Sequence, residues 1–183
     1  SAFMRFLEGR GHISEQESAA LMTEYRQRFY RIAYSYAKNE HDALDIVSEA
    51  TYKGLKHIRS LKEPSLFLTW MTRIVINTAI DDVKRRGRWV ALEDGMVEKQ
   101  GLFADPPDEE ILFDLYSAMD ILEPEERMWI ILKYFEEYSF SDISAMLGEP
   151  ESTVKSRVYK CLRRMRTYME GGERDGKSGK RTV

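Results

Sequence analysis

Apolar residues return every three or four positions along most of the chain, and that spacing predicts helices rather than strands. Tyr25, Phe29, Ile32, Ala33 and Tyr36 form one apolar stripe, and the reading from Ser18 to Arg86 is helical almost throughout. Asn39-Glu40-His41 interrupts it, and Asp42 is placed to cap the next helix. That helix carries Ala43, Leu44, Ile46, Val47, Ala50 and Ile58 on its apolar side, with Asp45, Glu49, Lys53 and Lys56 elsewhere. Pro64 ends the loop Ser60-Leu61-Lys62-Glu63 and opens a third helix with Phe67, Trp70, Met71, Ile74, Val75 and Thr78. Lys84, Arg85, Arg86 and Arg88 close it, where cations complement the negative end of a helix dipole.

Periodicity then lapses over Gly95, Gly101 and the Pro106-Pro107 pair. It resumes at Ile111, Leu112, Leu115, Met119 and Leu122, breaks at Glu123-Pro124, and returns as a helix from Met128 to Phe135. No period-two alternation bounded by turn residues is sustained anywhere. The expected fold class is all-α: two small helical domains, residues 18–88 and 108–170, joined by a flexible linker over 89–107. A Gly- and Lys-rich tail, 171–183, is expected to be disordered.

The most informative segment runs from Tyr138 to Val158. Ser139 followed by Asp142 forms a capping-box pattern and predicts a short helix from about Phe140 to Leu147. Gly148 sits where a left-handed C-cap is needed, and Pro150 or Ser152 starts a longer helix. Two helices joined by a tight Gly-containing turn are the helix-turn-helix arrangement of DNA-binding proteins. Winding the second helix at about 100° per residue separates its faces. Val154, Val158, Cys161, Leu162 and Met165 share one side. Ser152, Thr153, Ser156, Tyr159, Lys160 and Arg163 share the other, with Lys155 and Arg157 on the flanks. An apolar back and a basic, hydroxyl-bearing front are what a recognition helix needs to reach base edges and phosphates.

Charge sharpens this picture. The chain of 183 residues has a net charge of −3, which alone argues against nucleic acid, but the charge is segregated. Acids dominate between Leu102 and Phe140, whereas Lys155, Arg157, Lys160, Arg163, Arg164 and Arg166 crowd the last helix. Local positive patches on an acidic chain supply a DNA footprint while the rest stays solvated. No apolar run approaches the roughly 18 residues that span a bilayer. The start lacks a signal-peptide pattern, and Cys161 is the single cysteine, so a reducing cytoplasm is the expected compartment.

Catalysis is not expected. His12, His41 and His57 share no metal-ligand spacing with cysteine, so no metal or cofactor is anticipated. No phosphate-cradling Gly loop or nucleophile elbow is present. Asp81 and Asp82 are adjacent on a helix and project apart, which does not suit a metal nuclease. Cys161 falls on the inner face of its helix, where a buried thiol is expected.

These residues also resemble a known family. Thr153-Val-Lys-Ser-Arg-Val-Tyr-Lys160 is similar to the −35-reading helix in the fourth conserved region of extracytoplasmic-function σ factors. Asp42-Ala-Leu-Asp-Ile-Val-Ser-Glu49 and Thr69-Trp-Met-Thr-Arg-Ile-Val-Ile-Asn-Thr-Ala-Ile-Asp81 resemble its second region, in the family's order. The resemblance implies a region 2 helical bundle and a region 4 helix-turn-helix, acting with core RNA polymerase on promoter DNA. It implies −35 contacts at Lys155, Ser156, Tyr159 and Lys160, and places Trp70, Asn77 and Asp81 on the helix beside the −10 element. The loop from Ser60 to Leu66 corresponds to one that captures a flipped-out base. Asp42, Asp45 and Glu49 match an acidic surface that docks on the clamp helices of the β′ subunit, with Ser48 standing where the family usually has Gln. The family also implies an anti-σ factor, often membrane-anchored. The stretch Phe29–Ala37 resembles members that answer cell-envelope stress.

The residues alone leave several roles open. Trp70 either stacks on an unpaired base or fills the core beside Ile74. Asn77 either reads a base or makes a buried hydrogen bond. Lys84, Arg85 and Arg86 are expected to bind phosphate, because four cations cluster at that helix end. A stand-alone dimeric regulator with the same terminal motif, or a helical protein whose charged faces serve only protein partners, are the rival readings.

Overall fold

The computed structural model describes residues 11–87 and 117–178, with side chains described through 171. The chain forms two compact units, Ser1–Arg88 and Trp89–Val183. No strand occurs among the described residues. The expected linker lies outside them, as do Ile111, Leu112 and Leu115.

Among the described residues the first unit is built on four α-helices: α1 (Glu15–Glu24), α2 (Arg26–Ala37), α3 (Glu40–His57) and α4 (Phe67–Arg85). Ser14 and Glu17 close a capping box that starts α1 before the expected Ser18. Lys38, with φ of 60°, ends α2 by returning its N–H to the Tyr34 carbonyl at 2.8 Å. Asn39, rather than Asp42, caps α3: its Oδ1 accepts from the Asp42 N–H at 2.9 Å. The helix therefore begins three residues earlier than the sequence suggested, because Asn is as good a cap as Asp and comes first.

The apolar stripes meet in one core. Phe29, Ile32, Tyr36, Ala43, Ile46, Phe67, Met71, Val75, Ile76 and Ala79 are all essentially buried. Gly54 lets α3 approach α4 closely; a Cβ there would lie 2.7 Å from the Met71 sulfur. Leu44, expected on the apolar side of α3, instead stands exposed at 36%. Short 3₁₀ turns at Ile58–Ser60 and Pro64–Leu66 link α3 to α4, with Leu61 and Pro64 tucked inward.

The second unit contains α5 (Pro124–Ile130), a π-helical turn at Ile131–Phe135, α6 (Phe140–Leu147) and α7 (Glu151–Ser178). Here the helix expected from Met128 starts earlier, since Pro124 serves as its first residue and Glu126 closes a capping box with Glu123. The wide turn returns the Glu136 N–H to the Ile131 carbonyl at 2.9 Å. The α7 helix continues to Ser178 rather than stopping near Gly171 as expected; extending an existing helix needs no new nucleus.

Candidate nucleic-acid interface

The turn that aims α7 is assembled as its residues dictate. Ser139 Oγ accepts from the Asp142 N–H at 3.0 Å, and the Asp142 carboxylate accepts from the Ser139 N–H at 3.1 Å. Hydrogen bonding to its carboxylate from the Ser139 side chain and the Ser139 N–H also holds the Asp142 carboxyl below its usual pKa. Gly148 ends α6 at φ of 65°. A Cβ at Gly148 meets nothing within 4 Å, so Gly148→Ala is expected to cost only backbone strain. Thermal unfolding should show a loss of about 1 kcal/mol, and Gly148→Asn should lose less. An unchanged Tm for the Ala variant would contradict this.

Ile143, Val154, Val158, Cys161 and Met165 are buried beneath α7, and Leu162 is half-buried. On the outer face Ser152, Lys155, Ser156, Tyr159, Lys160 and Arg163 are exposed and Thr153 is half-buried. The basic front is extended by Lys133, which the sequence reading missed. The Lys133 ammonium lies 4.4 Å above the Phe140 ring, Lys155 lies 5.6 Å from it, and Tyr159 packs edge-on to it at 5.9 Å. Lys133 belongs to the π turn, which no periodicity announces, so no sequence signal placed it beside α7.

Not every cation on α7 faces outward to a ligand. Arg164 binds both oxygens of Glu126 at 2.8 Å and reaches the Ile121 carbonyl, pinning α7 to α5. Arg157, expected on the DNA-facing flank, is bonded to the Glu149 carboxylate and covers the Trp129 ring at 4.9 Å. Its side chain is committed within the protein.

Burial is the largest single influence on the Glu126 carboxyl and would raise it, but the Arg164 hydrogen bond, the Glu123 N–H, the Arg164 charge and the Cys161 thiol together outweigh it, and the net shift is downward from 4.5. A carboxyl lowered on folding stabilises above its unfolded pKa and loses that stability as pH falls through the folded value. Stability of this unit should therefore decline as pH drops below about 4.5, and Glu126→Gln should flatten that decline; an unaltered acid limb would contradict it. Burial also pushes the Cys161 thiol up to about 12, with Glu126 acting in the same direction. It is the inert buried thiol that its helical position implied.

In the first unit, the stripe Trp70, Arg73, Asn77, Asp81 and Lys84 runs along the outer side of α4 at helical spacing. Asn77, Asp81, Lys84 and Arg85 are exposed, so the buried hydrogen-bonding role for Asn77 is excluded. Trp70 is half-buried against Phe67, with ring centroids 6.1 Å apart, and so takes neither expected extreme. Arg73 joins this stripe and was missed, although its spacing from Trp70 and Asn77 would have found it. Along the loop before α4, Lys62, Glu63 and Ser65 are exposed and Leu66 is 52% exposed.

Arg86 and Asp42 need correction. Asp42, expected on an acidic docking surface, is only 7% exposed. Its carboxylate accepts from Arg86 at 2.9 Å, and Arg86 also bonds Asp82 at 2.9 Å and approaches Asp45 at 3.6 Å. Arg86 is thus engaged by three carboxylates rather than offered to phosphate. Arg85 also bonds Asp82, at 2.9 Å, but its side chain stays 63% exposed. His41, Asp42 and Asp45 could in principle gather a metal ion, yet Arg86 already supplies the cation there. The outer side of α3 then consists of Asp45 and Ser48, half-buried Glu49 paired with Lys53 at 3.4 Å, and exposed Leu44 and Tyr52.

A capped helix-turn-helix with a basic outer face, on the same chain as a separate four-helix unit, defines a nucleic-acid-binding protein of two helical modules. The sigma-70 region 2 family model matches residues 21–88, and that of sigma-70 region 4 matches residues 112–165. The RNA polymerase sigma factor SigV of Bacillus subtilis is 35% identical over 153 residues, covering 81% of this chain and 88% of that protein. The ECF RNA polymerase sigma factor SigE of Mycolicibacterium smegmatis is 31% identical, over 81% of this chain and 60% of its own length. Among solved structures, RpoE of Bartonella quintana, in complex with the anti-sigma factor NepR, superposes with a TM-score of 0.64 at 23% identity, covering 83% of this chain and 96% of that one. CnrH, in complex with the cytosolic domain of CnrY, gives 0.63 at 17%, covering 93% and 96%. At those identities the two structures speak to the fold alone. The chain belongs to the sigma-70 family, as an extracytoplasmic-function RNA polymerase sigma factor. It is a transcription initiation factor that directs RNA polymerase to promoters, and not an enzyme.

Proposed function

We propose that α7 lies in the major groove of the −35 element, reading it with Ser152, Thr153, Lys155, Ser156, Tyr159, Lys160 and Arg163 while Lys133 meets the phosphates beside it. The observation that carries this reading is the exposed basic and hydroxyl face of α7 over an apolar back in which Val154, Val158, Cys161 and Met165 are buried. The outer side of α4 holds the −10 element through Trp70, Asn77, Asp81, Lys84 and Arg85, its half-exposed indole being suited to stacking on a base. Asp45, Ser48 and Glu49 dock on the clamp helices of core polymerase. No helix among the described residues is long and apolar enough to cross a membrane, and the factor works in the cytoplasm. An anti-σ factor holds it until released, a partner that the complexes seen for RpoE and CnrH support; where that partner is membrane-anchored, the hold is at the inner membrane face.

Reconstituted transcription with core polymerase tests the base-reading role. Lys160→Ala should reduce initiation at promoters with an intact −35 element by about 10-fold, the loss of one base contact. Initiation where that element is scrambled should hardly change. An equal loss on both templates would make Lys160 a phosphate contact instead.

A further inference from the structure

The outer face of α7 is aimed by whatever fixes α7 against the turn that precedes it, and Arg157 stands at that junction. Its guanidinium donates to the carboxylate of Glu149, the residue after Gly148, and lies over Trp129 of α5. Glu149 is held on two further sides. Its N–H donates to the Ser144 carbonyl at 3.2 Å, and its own carbonyl accepts from the Ser144 hydroxyl. Helices α5, α6 and α7 therefore converge on one ion pair.

We infer that Arg157 is a positioning residue of the −35 reader rather than one of its DNA contacts, acting through Glu149 and Trp129 to set the direction in which α7 leaves the turn. A half-exposed ion pair adds little to overall stability. Its effect here is geometric: a planar guanidinium can bond a carboxylate and stack on an indole at once, which lysine cannot do. A helix that reads several bases loses several contacts together when it tilts. An arginine already matched by Glu149 also offers the duplex no unpaired charge, so it displaces no counterion when the protein binds.

This inference rests on the assignment of α7 to the −35 element, and one experiment separates the two. The full chain with core polymerase is assayed on templates with intact and scrambled −35 elements over a range of salt. The variants are Glu149→Gln, Arg157→Ala, Arg157→Lys, and the exchanged pair Glu149→Arg with Arg157→Glu. Each of the first three should lower initiation on the intact template by about tenfold, and Glu149→Gln with Arg157→Ala should be no worse than either alone. Arg157→Ala should not lower the salt slope of DNA binding, and the exchanged pair should recover the part of the loss that the ion pair carries but not the part carried by stacking on Trp129.

A phosphate contact at Arg157 predicts the reverse. Glu149→Gln would then bind DNA more tightly, Arg157→Ala would reduce the salt slope by about one, and the exchanged pair would be the weakest variant. Any of those results overturns the inference. Because Glu149→Gln is nearly isosteric and half-exposed, its result stands even if Arg157→Ala unfolds. A wild-type chain indifferent to the −35 element would instead remove the assignment of α7.

Discussion

Arg86→Ala is expected to lower the stability of the first unit by about 2–4 kcal/mol, a drop in Tm of roughly 10 °C or more. The cause is what the substitution leaves behind. Asp42 on α3 and Asp82 on α4 are buried carboxylates, and Arg86 bonds both at 2.9 Å. Without it each loses a matched cation in a poorly hydrated place, which is costlier than never having built the pair. The figure is set below that of a fully buried pair because about a third of the Arg86 side chain is exposed, at 34%. Arg86→Lys should rescue little, since one ammonium cannot present separate N–H groups to carboxylates on two helices. Thermal unfolding of the full chain, followed by circular dichroism, measures this. If Arg86→Ala leaves the Tm in place while lowering the salt slope of DNA binding, Arg86 is a phosphate ligand after all.

The second large effect concerns α7. Reversing charge at Lys155 and Lys160 together, both exposed on its outer face, should abolish −35-dependent initiation, by about 100-fold or more. Two favourable contacts are lost, and two carboxylates then face the phosphate backbone. The fold should survive, because the contacts of Lys155 among the described residues, an i,i+4 pair with Glu151 at 3.5 Å and a loose contact with Phe140, are not worth much. Full activity of the doubly reversed variant in reconstituted transcription would exclude α7 as the reader.

Local signals carried most of the fold. The first helix of the helix-turn-helix, α6, was legible almost to the residue because Ser139, Asp142 and Gly148 act within one turn of where they sit, and the capping box and left-handed C-cap are set by those residues. The two faces of α7 followed from helical geometry alone. What stayed hidden depends on residues far apart in the chain. Nothing in the basic run at the end of α4 distinguishes Lys84, which points outward, from Arg86, whose partners lie on α3. Arg157 likewise reads as one more cation until Trp129 and Glu149 are brought beside it. Leu44 was assigned inward because a helix side defined only by spacing is wide enough to include a residue at its edge. The π turn that brings Lys133 to the basic face has no sequence signature at all.

The role of Asn39 shows a different limit. Asn39 and Asp42 are both competent caps, and the choice between them moves the start of α3 by less than a turn. Yet it decides whether Asp42 faces solvent or the interior, and therefore whether it belongs to a docking surface or to the clasp with Arg86.

The central claim is that one chain engages two separated promoter elements, with α7 on duplex DNA and α4 on the opened strand. Footprinting of promoter DNA with core polymerase and this factor, combined with permanganate probing of unpaired thymines, tests it most directly. The expected result is protection at both −35 and −10, reactive thymines at −10, and neither pattern with core polymerase or the factor alone. Protection at a single element, or the same footprint without polymerase, would contradict it.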